Sequence, residues 1–118
     1  MAKFLFVLSR GMDDPVRATR CIHIAKLAKE EGHEVNVFLL EDGVMIAKIG
    51  MADNMKSPTG DELKTALDYL IKAAVPIMVC TPCANARHIG QEDLVQSARF
   101  ETGKKLIALA AESKVFTF

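Results

Sequence analysis

Residues 4–8, Phe-Leu-Phe-Val-Leu, are apolar without interruption. A strand with one wet face alternates polar and apolar side chains. A run that does not alternate suits a strand covered on both faces, as in a parallel sheet. The signature returns within residues 34–40 (Val35, Val37, Phe38, Leu39, Leu40), at residues 76–79, and in the segment KVFTF at 114–118. The stretches between these runs have helical spacing. Asp13-Asp14-Pro15 reads as a helix start, an acidic cap followed by proline in the first turn. The helix from Val16 to Glu31 places Cys21, Ile24, Ala25 and Ala28 on one face, and Gly32 stops it. Asp42-Gly43 breaks the second strand, residues 44–49 read as a short helix, and 50–60 as a loop. Residues 61–72 form a helix with Leu63, Leu67, Leu70 and Ile71 on one side. A helical turn follows at 91–96, then a short strand at 98–100. Thr102 caps a helix over 103–112. This order predicts an α/β domain with a mainly parallel sheet and right-handed crossovers. Val115, Phe116 and Phe118 are too apolar for a loose tail, which predicts a last strand inside the sheet.

Composition narrows the function classes. The 118 residues fit one domain, 1–118. The chain is 50% hydrophobic with 15 basic and 15 acidic residues, so it is neither disordered nor a general nucleic-acid binder. No apolar run approaches the roughly 20 residues of a membrane span. No leader follows Lys3, and a cytoplasmic chain with reduced thiols is expected. The apolar surplus points to contact between subunits. The stretch with Val44, Met45, Ile46, Ile49, Met51 and Met55 is the candidate face, packing on its own sheet being the alternative.

In open parallel sheets, reactive groups gather beyond the carboxyl ends of the strands. Three segments fall there: Ser9-Arg10-Gly11, Glu41-Asp42-Gly43, and Cys80-Thr81-Pro82-Cys83. The last is the most informative. Two cysteines three apart can close a disulfide, bind a metal or activate one another, and nearby cations favour the reactive thiolate. Arg87 and His88 are close enough in sequence to supply positive charge. A thiolate so placed can hold sulfane sulfur as a persulfide. The plain alternative is a pair of small buried hydrophobes. That alternative fits Cys21, on the apolar face of a helix. A thioredoxin-type reading is weakened by position, since the pair lies two thirds along the chain. A zinc site needs four ligands and one CxxC supplies two. The first strand–helix link has neither a phosphate loop nor the GxGxxG of a dinucleotide site. Asp42 reads mainly as a helix cap, with a functional role as the alternative. His23 and His33 have no partner cluster.

The run Cys80 to Ile89, the opening strand KFLFVLS, the segment FLLEDGV and the closing KVFTF together resemble the DsrE/DsrF-like family, most closely its YchN-type branch. The resemblance spans essentially the whole chain. It implies a three-layer α/β/α fold around a parallel sheet of about five strands, and homo-oligomers, often trimers or hexamers. It also implies sulfur carried as a cysteine persulfide, as in several relatives. In the sulfur carriers the active cysteine ends a strand seven residues before an arginine; Cys80 and Arg87 stand at those positions. Cys83 matches the second cysteine of the YchN-type branch. The family often has glycine directly after the arginine. Here it is His88, which adopts glycine's backbone angles less readily.

The leading expectation is a sulfur-handling protein: Cys80 accepts sulfur, Cys83 resolves or relays it, Arg87 stabilises the thiolate, and Asp42 and His88 are secondary candidates. No cofactor and no metal is called for. The expected partner is a protein sulfur donor or acceptor, with no direct nucleic acid and no membrane. The alternatives are a thiol–disulfide switch on the same pair and a non-enzymatic oligomeric binding module.

Overall fold

The computed structural model describes residues 1–118. Five strands, β1 (Lys3–Leu8), β2 (Glu34–Leu39), β3 (Ile77–Cys80), β4 (Ala98–Glu101) and β5 (Lys114–Thr117), form one sheet in the order β4-β3-β2-β1-β5. Every pairing is parallel. The helices are α1 (Pro15–Glu30), α2 (Leu63–Lys72), α3 (Thr81–Ala86) and α4 (Gly103–Ala111), with a 3₁₀ segment at Glu41–Ala47 and a 3₁₀ turn at Gln91–Asp93. The chain steps in one direction from β1 to β4, so right-handed crossovers put α1, α2 and α3 on one face. The return from β4 to β5 carries α4 to the other. The result is the expected three-layer α/β/α fold.

The uninterrupted apolar runs become the central strands. All four residues of β3 and all but Glu34 of β2 are buried. Leu5, Phe6 and Leu8 of β1 are fully buried, as are Phe38, Leu39 and Met78. Helix α1 starts as the sequence predicts: the Asp14 carboxylate accepts the Arg17 backbone N–H at 3.1 Å, and Pro15 opens the first turn. Its buried stripe is Ala18, Cys21, Ile22 and Ala25. Thr102 stands at the start of α4, but its side chain makes no capping hydrogen bond.

Two expectations need correction. The last strand joins the sheet beside β1, but at its edge, and all four residues of β5 are exposed. The Phe116 ring stacks on Phe6 with centroids 5.1 Å apart, yet Phe116 keeps 43% exposure because nothing covers the strand's outer side. The stretch after β2 is not mainly surface. Val44, Ile46, Ala47, Ala52 and Met55 bury in the chain's own core, and of that segment Ile49 stands out, at 62% exposure. A third element went unforeseen: residues after Cys80 form the short helix α3, opened by Pro82 in its first turn.

The carboxyl ends of β1 and β2 lock together through two glycines. The Leu8 carbonyl accepts the Leu40 N–H at 2.9 Å. A Cβ on Gly43 would collide with that same carbonyl oxygen, and a Cβ on Gly11 with the carbonyl oxygen of Asp42. The two loops therefore interlock backbone to backbone, and this fixes where Glu41 and Asp42 stand.

Candidate functional site

Cys80 is the last residue of β3 and the cap of α3, so it marks a strand-to-helix turn at the carboxyl edge of the sheet. The turn is tied to the neighbouring strand: the Thr81 hydroxyl donates to the Glu101 carbonyl at 2.9 Å. Cys80 is 6% exposed, Cys83 is half-buried, and Cys21 is fully buried within α1; all three are free thiols.

One turn of α3 returns Cys83 to the neighbourhood of Cys80. Burial first, and the neighbouring Cys80 side chain second, push the Cys83 thiol up to about 11, against the opposing pull of the Glu41 backbone N–H. Cys83 therefore keeps its proton at neutral pH. Burial alone pushes the Cys21 thiol up much further.

Arg87, at the end of α3, is brought to the site but is not a free cation. Its Nε and one terminal nitrogen donate to Asp42 Oδ1 at 3.2 and 3.1 Å, and the other terminal nitrogen donates to the Cys83 carbonyl at 3.0 Å. Glu41 lies 3.5 Å from the same guanidinium. Asp42 is thus a tether for Arg87 rather than a helix cap; the 3₁₀ segment it belongs to has no side-chain cap. Glu41, which the sequence reading passed over, bears on both thiol and arginine. Its backbone is in the left-handed region, φ 46°. The segment FLLEDGV carried the only signal, and it pointed to the strand end rather than to Glu41.

His88 is exposed and has no side-chain partner among the hydrogen bonds of the site. Its part lies in the backbone. With φ 57° it takes the left-handed position after α3, while its N–H donates to Asn85 and the next N–H, of buried Ile89, to Ala84. This is the Schellman closure that glycine usually makes. Gly32 closes α1 in the same way, with glycine in place. A side chain in this region costs about 1–2 kcal/mol, of which glycine's extra chain entropy returns some 0.5–1. His88→Gly is therefore expected to raise stability by about 0.5–1 kcal/mol. A lowered midpoint in urea would contradict this.

A buried strand-end thiol, a second thiol one helical turn beyond it and a carboxylate-tethered arginine, set on a five-stranded parallel sheet, describe an α/β thiol protein. The comparisons make the class definite. The model of the DsrE/DsrF-like family matches residues 2–118, and the chain belongs to that family. It is similar to uncharacterized protein MJ0989 of Methanocaldococcus jannaschii, 36% identical over 98% of this chain and 99% of that one. It is also similar to uncharacterized protein MK0008 of Methanopyrus kandleri, 31% identical over 91% of this chain and 85% of that one. Among solved structures, the YchN protein of E. coli superposes with a TM-score of 0.84 at 22% identity, over the full length of both chains. MTH1491 of Methanobacterium thermoautotrophicum, of unknown function, superposes with a TM-score of 0.72 at 13% identity, again over both full lengths. At these identities the structural likeness speaks for the fold alone. No helix of the chain is long and apolar enough to cross a membrane.

Proposed function

We propose that this protein carries sulfane sulfur as a persulfide on Cys80, with Cys83 as the assisting thiol. The observation that carries the reading is the placement of the two thiols, Cys80 at the end of β3 and Cys83 one helical turn beyond it. In the loading step the Cys80 thiolate attacks the outer sulfur of a hydropersulfide donor, R–S–SH. A new S–S bond forms at Cys80, the donor's S–S bond breaks, and R–S⁻ leaves with the electron pair. Cys83, holding its proton, donates a hydrogen bond to Cys80 and steadies whichever anion stands there. Arg87 acts through Asp42 and Glu41: it pins the loop after β2 to the end of α3 and so positions the pair. The test is mass spectrometry after incubation with a hydropersulfide donor. The Cys80 peptide is expected to gain the mass of one sulfur atom, and unmodified Cys80 would overturn the reading.

The same placement supports a second reading, a thiol–disulfide switch, because two thiols one helical turn apart are neighbours in space. That reading predicts a reduction potential for the Cys80/Cys83 pair near the cytosolic glutathione poise of about −220 to −320 mV. A potential well outside that window removes it.

A further inference from the structure

The chemistry of the site also bears on what kind of donor approaches it, provided Cys80 is the sulfur acceptor. The charges around the pair can be counted by contact. Arg10 is paired with Asp13 at 3.0 Å, and Arg99 with Glu101 at 3.1 Å. Each of those pairs is neutral. A third group is Arg87 with Asp42 and Glu41, one cation against two carboxylates, with Asp42 also within the electrostatic reach of Arg10. The cation is the most sheltered of the three, its side chain 25% exposed against 47% for Asp42 and 68% for Glu41. What faces an approaching molecule is therefore net negative. His88, exposed beside Arg87 in sequence, forms no ion pair with a carboxylate. Glu41 stands beside the pair as well, since it is among the groups that bear on the Cys83 thiol.

A small anionic donor meets repulsion here from Glu41 and Asp42, on top of that from the thiolate it must reach. A donor with positive charge beside its sulfur meets attraction, and approach rates at charged clefts change about tenfold or more with the sign of the charge. We propose that Glu41 and Asp42 select a sulfur donor whose transferable sulfur is flanked by positive charge, namely a protein persulfide on a basic surface, and discriminate against small anionic persulfides. The two carboxylates are positioning residues for Arg87 and, by their exposed charge, specificity residues for the donor.

The test uses two small donors with the same reactive group and opposite charge beside it: cysteamine hydropersulfide, whose ammonium puts a cation next to the sulfur, and glutathione hydropersulfide, whose carboxylates make its remainder an anion. Sulfur arriving on Cys80 is followed by mass spectrometry. Each rate is divided by that donor's rate with a neutral small thiol, which removes intrinsic differences in reactivity. At low salt the wild-type chain is expected to favour the cation about tenfold. The preference should shrink as the Debye length falls from about 10 Å at 0.1 M to about 3 Å at 1 M salt. Glu41→Gln leaves Arg87 and Asp42 balanced and should bring the ratio close to unity. Glu41→Gln with Asp42→Asn leaves the arginine uncompensated and should invert it. Equal normalised rates in the wild type, or a ratio untouched by both variants, would overturn the proposal while leaving sulfur uptake intact. Uptake from neither donor would instead sink the carrier reading itself.

Discussion

A Cys80→Ser chain is expected to take up no sulfane sulfur, because neither remaining thiol can stand in. Cys21 is fully buried inside α1, and burial holds its proton far above the working range. Cys83 is partly accessible, but its thiol is pushed up to about 11 by burial and by Cys80. At pH 7 only about one Cys83 in 10⁴ is then a thiolate, and the thiolate is the nucleophile. Removing Cys80 also removes one of the causes of that shift, so residual uptake on Cys83 should appear only at alkaline pH. Cys83→Ser is expected to load at Cys80 and to lose its sulfur faster, since a serine hydroxyl is a differently placed donor. Peptide mapping of the three chains after one donor pulse decides the matter. Full uptake by Cys80→Ser at pH 7 would mean that the acceptor has been misassigned.

Gly43→Ala is expected to be the most damaging conservative change in the fold. The added methyl would collide with the Leu8 carbonyl oxygen, which is backbone, and is held in place by the Leu40 N–H at 2.9 Å. Neither side can swing away as a flexible side chain would. Overpacking of this kind costs about 3 kcal/mol at the upper end of its usual range, a fall in Tm of roughly 10–20 °C for a chain of this size. Gly11→Ala presses on the other half of the same seam through the Asp42 carbonyl. The double variant should cost less than the sum, because a seam already forced open has less to lose. Gly103→Ala is the control: its added methyl meets open space at the start of α4, and stability should hold or rise by about 0.5 kcal/mol. Thermal unfolding of the four variants checks the set, and a Gly43→Ala chain as stable as wild type would refute the seam. Because Asp42 follows the seam and tethers Arg87, loss of sulfur loading should accompany loss of stability.

Much of the fold was legible because the core strands state their burial directly. Phe4 to Leu8, Val37 to Leu40 and Ile77 to Val79 are apolar on both faces, which only a doubly covered sheet accommodates. Asp14-Pro15 and Gly32 bracket α1 by local chemistry that needs no tertiary help. The errors arose where the outcome depends on what lies overhead. KVFTF reads as interior by composition, yet an edge position follows from the crossover that brings β5 back past β1, and composition does not encode that. Helix α3 was missed because six residues are too few to show a period. At the site, the spacing from Cys80 to Arg87 identified both residues. It could not disclose that Asp42, 45 positions earlier, neutralises the arginine. Partners across strand ends are set by sheet order rather than by neighbours in sequence. His88 was noticed as an oddity of sequence, and its meaning, a left-handed helix closure, belongs to the backbone.

The place of β5 has a consequence for how the molecule comes into being. Phe4 pairs with Lys114 and Val7 with Thr117, so β1 waits for its second neighbour until residue 117 exists. Strands β1 to β4 and the first three helices can assemble in the order of synthesis, each element docking on the one before. One side of β1, with Phe4 and Phe6, stays open throughout. Closing so long a loop is slow relative to local pairing. A nascent chain of this protein therefore carries β1 paired with β2 on one edge and open on the other until β5 is made. That makes it a natural client for whatever shields apolar strand edges near the ribosome.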